Sequence, residues 1–261
     1  MKICVCVKHI PDPTMPMVVD PQSKRLVRDR GQSILDPSDE YSIETALRLV
    51  EEHGGESVAI TMGPDGAEDA LRRAMAMGID RSILVNDDAL SGSDVLSTAR
   101  TLAAVLTAEQ PDLVICATES TDAYTGMVPG ALAELLGMPL VSFARSVTVE
   151  GASISAQQDT ERGYRTVKSP LPALLTVTAS IAEPRYPSFK GMMQAKKKPL
   201  QRLGAAALGL DPQGIGEAGA RERVLKIDQV HQEKQGRTIV DDGSGSSVDE
   251  IVAFLKSIQV V

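Results

Sequence analysis

The chain has 261 residues, of which 43% are apolar and 24% are charged, proportions typical of a globular protein that exclude global disorder. Aromatic residues amount to only 3% and the net charge is −8, which argues against a nucleic-acid-binding protein, because bases need stacking rings and phosphates need a basic surface. Three cysteines in apolar surroundings, with no apolar run near the ~20 residues of a membrane-spanning helix, predict a cytoplasmic protein without membrane insertion.

The first half of the chain alternates short apolar runs with segments of helical period. Continuous apolar runs are typical of strands that are buried on both faces of a parallel sheet. With Asp36-Pro37 as a helix start and Gly137 as a helix end, the pattern predicts an α/β fold with a doubly wound, mostly parallel sheet. The predicted strands are Ile3–Val7, Val58–Met62, Ser82–Val85, Leu113–Ala117 and Leu174–Thr178.

The second half departs from this pattern. From about Val141 to Lys168, apolar and polar residues alternate between turn signals, which predicts an antiparallel meander at the sheet edge and completes a domain of residues 1–183. Beyond Pro184 the pattern predicts no further regular strand. Residues 184–202, the recognition segment, are basic and carry no acid, and residues 203–261 are predicted to form an extended arm. The arm ends in an amphipathic helix with Ser247 as its N-cap.

The loops that follow the predicted strands are the first place where chemistry is expected. In an open parallel sheet, ligands bind beyond the carboxyl ends of the strands, and residues 117–126 combine hydroxyl side chains and Gly before a predicted helix. Backbone N–H groups at such a helix start attract phosphate, and Asp122 is placed to accept from a ribose hydroxyl. The alternative is an ordinary strand-to-helix loop. The sequence contains no Gly-rich dinucleotide fingerprint, no Walker A motif and no zinc-ligand spacing.

The recognition segment is the second place. It combines rigid Pro, the apolar side chains of Tyr186, Phe189, Met192 and Met193, and a Lys triplet, which is the composition of a partner-docking loop. The alternatives are a solvated basic stretch, or Met and Phe side chains folded back onto the core.

Taken in order, these residues resemble the β subunit of electron transfer flavoprotein over nearly the whole chain. The most specific match is Glu183-Pro184-Arg185-Tyr186 with Met193-Gln-Ala195-Lys-Lys-Lys198, which is similar to the signature and recognition loop of that family. Supporting matches are Val7-Lys8, Asp36-Pro37, Gly63-Pro64, and Thr118–Asp122 with Thr125-Gly126.

The resemblance implies an electron-carrier subunit without catalysis of its own. In that family an α subunit carries the redox-active FAD, the β subunit holds a structural AMP, and electrons pass from acyl-CoA and related dehydrogenases to a quinone-linked oxidoreductase. The implied AMP pocket comprises Cys6, Asp36, Pro37, Ser38, Met62, Ala117, Ser120, Asp122, Thr125 and Gly126. The implied partner-binding residues are Arg185, Tyr186, Phe189, Met192, Met193, Lys196 and Lys197, with Phe189 as the apolar anchor, and the C-terminal arm packs on the α subunit.

Two departures from the family pattern bear on the pocket. Ala123 stands where Gly is common, and Gly there would supply a positive φ that Ala adopts at a cost. Bifurcating members hold a second FAD and favour an Asp-Gly-Asp-Thr loop, whereas this chain has Asp122-Ala-Tyr-Thr125, which favours AMP. An alternative function is a stand-alone nucleotide-binding regulator resembling universal stress proteins, which leaves the recognition segment and the terminal helix without a role.

Overall fold

The computed structural model describes residues 1–28, 32–228, 236 and 238–260. The chain forms two compact units, Met1–Leu225 and Lys226–Val261. The strands of the first unit are β1 Lys2–Cys6, β2 His9–Pro11, β3 Val19–Asp20, β4 Arg25–Leu26, β5 Ser33–Leu35, β6 Glu56–Met62, β7 Arg81–Val85, β8 Leu113–Ala117, β9 Leu140–Glu150, β10 Ser153–Thr160, β11 Gly163–Pro170, β12 Ala173–Val177 and β13 Leu200–Leu203. Its α-helices are α1 Pro37–His53, α2 Glu68–Met77, α3 Val95–Glu109, α4 Val128–Leu136, α5 Phe189–Ala195 and α6 Gly216–Gly219.

The centre of the first unit is a nine-stranded sheet in the order β11-β10-β9-β12-β8-β1-β6-β7-β13. The seven neighbours β9-β12-β8-β1-β6-β7-β13 are all paired in parallel. Strands β9, β10 and β11 form the antiparallel meander. Every residue of β8 and β12 is buried, which is why these strands appear in the sequence as unbroken apolar runs. The predicted fold class is confirmed, and each predicted parallel strand lies within two residues of an observed one.

Helices cover both faces of this sheet. Ile3 and Val5 of β1 share one buried cluster with α1 and α2, whereas Cys4 lies in a second cluster with α3 and α4. This division follows from the two-residue period of a strand, which sends alternate side chains to opposite faces. Burying one large apolar side chain contributes roughly 1.5–3 kcal/mol, so the two clusters together hold the layers in place.

Most of the predicted helix boundaries are confirmed. The Asp36 carboxylate accepts from Ser38 N at 3.0 Å with Pro37 in the first turn, and Gly137 ends α4 with a left-handed φ of 62°. The prediction of Ser247 as an N-cap is wrong. Helix α7 of the second unit spans Ser246–Ser257 after Gly245, and the Ser247 hydroxyl instead donates to Asp241 at 3.0 Å. The side chain of Ser247 is therefore engaged with a carboxylate before the helix rather than with a backbone N–H of its first turn.

The expectation of no regular strand beyond Pro184 is wrong as well. Residues 200–203 form β13, which extends the parallel sheet beside β7 with Gln201 opposite Ile83. An edge strand has one partner only, and the central residues of β13, Gln201 and Arg202, are exposed. The apolar run that identifies the inner strands is therefore missing from its sequence.

A membrane-spanning helix needs about 20 predominantly apolar residues. Among the helices of the described residues, none is both long and apolar enough to cross a membrane.

Candidate functional site

A concave feature of the first unit lies where the strand order reverses. The chain runs outward from β1 through β6 to β7 and then returns to place β8 on the other side of β1. Ligands of open α/β sheets bind at this switch point, beyond the carboxyl ends of the strands. A cavity of about 450 Å³ opens there, between the ends of β1 and β8 and the first turns of α3 and α4.

Six of the ten predicted pocket residues line this cavity. They are Cys6, Met62, Ala117, Ser120, Thr125 and Gly126. They come from three strand ends and from the loop before α4, which are far apart in the sequence, so the parallel sheet brings them together. Asp36, Pro37, Ser38 and Asp122 stand behind the lining rather than in it.

Asp36 joins two of the loops that surround the cavity. Its side chain is fully buried, and one carboxylate oxygen accepts from Thr121 N at 2.8 Å while the other accepts from the Ser38 hydroxyl at 2.6 Å. The backbone N–H of Asp36 donates to Lys8 O at 2.9 Å. The start of α1, the end of β1 and the loop after β8 therefore form one hydrogen-bonded unit.

A buried carboxylate between two cations is the main electrostatic feature of the site. The Asp122 side chain has no exposed surface, and it accepts from Lys8 Nζ at 2.6 Å and from Arg28 Nη2 at 2.9 Å. Burial opposes ionisation of Asp122, but Lys8 and Arg28 outweigh burial and lower the pKa of the carboxyl group. Both cations line the cavity, so this arrangement holds positive charge at its wall.

Asp39 is a second buried carboxyl group in the cavity wall. Its carboxylate accepts from Lys8 N at 2.7 Å. Burial and the neighbouring Asp36 nevertheless raise the pKa of Asp39 well above its usual value, more than the Lys8 contacts lower it. The two carboxyl groups beside Lys8 thus have pKa values shifted in opposite directions.

Several lining residues were missed by the sequence reasoning. Arg28 and Asp39 are among them, together with Ser93, Asp94, Val95 and Thr98 at the start of α3. The signal that identifies the start of α3 is Asp94, which follows β7 and caps the helix by accepting from Ser97 N at 2.8 Å. Arg28 has no comparable local signal, because only the tertiary fold brings it to Asp122.

In the loop before α4, the positive φ expected at position 123 occurs at other residues. Positive φ values occur at Tyr124, with 51°, and at Gly126, with 61°, but not at Ala123. Gly126 adopts this conformation without strain, whereas Tyr124 carries the cost that was expected one residue earlier.

The recognition segment is held against the α1–α2 face of the sheet by charged anchors. The Arg185 guanidinium donates to Glu44 at 2.7 Å and to Glu51 at 3.0 Å, both on α1. These carboxylates raise the pKa of Arg185 by hydrogen bonding to it. Lys198 Nζ donates to the carbonyls of Met75, Gly78 and Ile79 at 2.6–3.1 Å, at the end of α2.

Between these anchors, short helix α5 presents its apolar side chains to solvent. Ser188 caps the helix by accepting from Gly191 N at 3.0 Å, and Ala195 is buried against α2. Tyr186 is 88% exposed and Phe189 78% exposed, so they do not fold back onto the core. Met192, Met193, Lys196 and Lys197 are also exposed. Arg185, also a predicted partner-binding residue, is engaged within the chain by its ion pairs with α1.

In the described ranges, no group of three or more His, Cys, Asp and Glu residues is arranged to hold a metal ion. Cys4, Cys6 and Cys116 are free thiols.

Comparison with known proteins shows similarity along the whole chain. A model of the electron transfer flavoprotein domain matches residues 24–208. The electron transfer flavoprotein subunit beta of Mycobacterium leprae (strain TN) is 36% identical over 265 residues, with 99% of both chains covered. The subunit of the same name from Megasphaera elsdenii is 34% identical with 100% of both chains covered. The caffeyl-CoA reductase-Etf complex subunit CarD of Acetobacterium woodii is 32% identical, covering 98% of this chain and 97% of the relative.

Proposed function

This chain belongs to the electron transfer flavoprotein family, with a role in electron transfer as a carrier subunit rather than as an enzyme, and from that premise we propose that it is the β half of a heterodimer. Its partner is an α subunit that holds most of the FAD of the complex. The β half binds one AMP as a structural ligand and presents a docking surface to dehydrogenases. The complex then carries electrons from acyl-CoA and related dehydrogenases to a quinone-linked oxidoreductase.

The observation that carries the nucleotide proposal is the cavity at the switch point. Its volume of about 450 Å³ is in the range of small-ligand sites. Lys8 and Arg28 supply positive charge for a phosphate, and the first turn of α4, at the positive end of the helix dipole, lines the same space. Asp36, Pro37, Ser38 and Asp122 were predicted to contact AMP. On this proposal they instead stabilise the loops whose other residues contact it.

The docking proposal rests on the exposure of α5. The ring of Phe189 and the side chains of Met192 and Met193 face solvent on this helix, Lys196 and Lys197 are exposed just after it, and the segment is anchored on both sides by Arg185 and Lys198. A pre-organised surface loses little conformational entropy on binding, so its apolar anchor retains most of its contribution. The name of the Acetobacterium woodii relative places that protein in a caffeyl-CoA reductase-Etf complex, which supports a partner enzyme for this chain too.

The C-terminal residues fit the heterodimer part of the proposal. Helix α7 exposes Val248, Ile251, Phe254 and Ile258, which lie within one half of its surface. We infer that residues 203–261 act as an arm whose helix packs on the α subunit. Residues 229–235, 237 and 261 of that arm lie outside the described residues.

The nucleotide proposal is tested by denaturing the purified complex and identifying what is released. One AMP per β chain is expected, together with FAD from the complex. The variant Lys8→Met removes one cavity cation and is expected to lower the AMP content. Lys2→Met is the matched control, because Lys2 begins β1, whereas Lys8 follows the end of that strand, and Lys2 Nζ donates to Glu109 O at 2.7 Å. A colourless homodimer that releases ATP would instead identify a stand-alone nucleotide-binding regulator.

The docking proposal is tested with Phe189→Ala in the assembled complex. Truncating an interface anchor costs about 1–2 kcal/mol or more, so reduction by an acyl-CoA dehydrogenase should slow by roughly 5- to 30-fold at low carrier concentration. Tyr164→Ala is the control, because Tyr164 is also an exposed aromatic residue but lies on β11. Equal rates for wild type and Phe189→Ala, with AMP and FAD contents unchanged, would remove the docking role of Phe189.

A further inference from the structure

The wall of the switch-point cavity is completed by a segment of the C-terminal arm. Residues 216–225, the strap, lie against the chain that leads into α3, and Glu222 of the strap lines the cavity beside Gly92, Ser93 and Asp94. The other lining residues all precede residue 130 in the sequence. One side of the cavity is therefore formed by a part of the chain that is distant in sequence from the rest of its wall.

The first residues of the strap are fixed by backbone contacts. Gly216 has a φ of 59°, and a Cβ atom there would collide with the carbonyl oxygen of Ala89. The N–H of Glu217 donates to Ser91 O at 2.9 Å, and Ile215, just before the strap, is buried in the cluster that contains residues of α3. This end of the strap stays in place unless the core beneath it unpacks.

Further along, the strap is held by one carboxylate. Asp94 caps α3 with one oxygen, which accepts from Ser97 N at 2.8 Å, and its other oxygen accepts from the N–H groups of Arg221 and Glu222, the latter at 3.2 Å. Burial opposes ionisation of Asp94, but the hydrogen bonds from Ser97 and Arg221 outweigh burial and lower the pKa of the carboxyl group. Asp94 is thus ionised at neutral pH, and its hydrogen bonds to the strap are charge-assisted.

The hairpin β3–β4 contacts the strap as well. Lys24 Nζ donates to Leu225 O at 2.6 Å, and Arg25 forms an ion pair with Glu217 at 3.5 Å. Arg28, three residues after Arg25, lines the cavity. The strap and one of the two cavity cations are therefore joined through this hairpin.

Glu222 brings an acceptor to a cavity that also carries two cations. Within the described part of the chain, its carboxylate forms no ion pair or hydrogen bond, so it is available to a ligand. We propose that Asp94 positions the strap so that the Glu222 carboxylate accepts a hydrogen bond from a ribose hydroxyl of the bound nucleotide. This inference rests on the proposed function, because it needs an adenine nucleotide in the cavity. An ionised carboxylate only accepts hydrogen bonds and a ribose offers two hydroxyl donors, whereas the phosphate is attracted to Lys8 and Arg28.

Nucleotide binding and closure of the strap then depend on each other. A ligand that contacts the closed strap binds the closed state more tightly, and by linkage it lowers the population of the open state. Arg221 and Arg223 flank Glu222, so trypsin cleavage after these two residues reports how often the strap opens.

The experiment follows trypsin cleavage of the full-length protein by mass spectrometry, after dialysis against charcoal has removed its nucleotide. AMP at 100 times its Kd, measured by equilibrium dialysis, should slow cleavage after Arg221 and Arg223 by up to about 100-fold. At the same multiple of its own Kd, 2′,3′-dideoxy-AMP lacks both hydroxyls and should protect roughly tenfold less. Cleavage after Arg162, in the turn between β10 and β11 and outside the cavity wall, should not respond to either ligand.

Asp94→Asn tests the positioning role. Asn caps a helix as well as Asp does, so the α3 cap is kept, but an amide –NH2 replaces the oxygen that holds the strap. Without AMP, cleavage of the strap should become roughly tenfold faster. Asp87→Asn is the matched control and should leave strap cleavage unchanged. Asp87 accepts from Ala89 N at 3.0 Å in the turn before α3 and from Ala205 N of the arm at 2.9 Å, but lies outside the cavity wall.

Glu222→Ala tests the contact with the ligand. Asp94 holds the strap through backbone N–H groups, which this variant keeps. The ratio of cleavage rates without and with AMP should fall roughly tenfold, and this ratio cancels any change in how trypsin recognises the altered site.

The outcomes distinguish this inference from the function on which it rests. A protein that binds no AMP would remove both. AMP that binds without slowing strap cleavage, or equal protection by AMP and 2′,3′-dideoxy-AMP, would overturn this inference alone. Strap cleavage in Asp94→Asn at the wild-type rate would remove the positioning role. Because protection by the two ligands is measured on the wild type, a variant that does not fold leaves the inference testable.

Discussion

The close contact of α5 with α2 makes Gly191 a sensitive position in the recognition segment. A Cβ atom at Gly191 would lie 2.4 Å from the carbonyl oxygen of Ala76, a backbone atom that cannot rotate away. Gly191→Ala therefore forces α5 to move off α2. The same substitution improves helix propensity by up to about 1 kcal/mol, so two effects of opposite sign compete.

The steric effect is expected to dominate. Overpacking costs about 1–3 kcal/mol, which leaves a net local destabilisation of up to roughly 2 kcal/mol after the propensity gain. Hydrogen exchange reports the population of locally open states, so the amides of residues 189–197 should exchange faster than in the wild type, by up to roughly 30-fold. The amides of the central sheet should be unaffected, because the movement is confined to the edge of α2.

Gly130→Ala provides a matched control. Gly130 is also the third residue of its helix, α4, and a Cβ atom there meets no atom within 4 Å. This variant should show the propensity gain alone, with exchange in α4 unchanged or slower. If Gly191→Ala slows exchange in α5 as Gly130→Ala does in α4, the contact with Ala76 does not constrain the segment and the reasoning fails.

Four further predictions concern the anchors, the two buried carboxyl groups and the arm. Lys198→Met leaves three carbonyls at the end of α2 without their donor, so trypsin should cleave the recognition segment roughly tenfold faster, whereas Lys190→Met should not destabilise the segment. Asp122→Asn should lower the free energy of unfolding at pH 7 by about 1–3 kcal/mol, and the loss should shrink below about pH 4, because the pKa of Asp122 is lowered in the folded state. Asp39→Asn should raise the free energy of unfolding at pH 7, because the pKa of Asp39 is raised and its ionised form costs stability at that pH. Urea titrations of both variants at pH 7 and pH 3.5 measure these changes. A change in the free energy of unfolding of the same sign in both variants would contradict the reasoning. Deleting residues 248–261 should weaken heterodimer formation, and an intact complex on gel filtration would disprove that role.

The sequence determined the layers of the fold. Unbroken apolar runs predicted β1, β6, β7, β8 and β12 because strands buried on both faces need apolar side chains at every position. Helix ends with a local cause, such as Asp36 before Pro37, were predictable for the same reason: their partners lie within a few residues. The exposure of Phe189 agreed with the composition of its segment, since an apolar side chain among Lys and Gly residues has little core nearby.

Only the tertiary structure decided which of these residues meet. Lys8 and Asp122 are 114 residues apart, and Arg28 is 94 residues from Asp122, yet they form one ion cluster. Cys6 and Cys116 line the same cavity because β8 returns to lie beside β1, an order that local propensities do not encode. Strand β13 was missed because an edge position relaxes the need for apolar residues. Short-range patterns specify elements, whereas strand order and side-chain contacts depend on packing between segments that are distant in the chain.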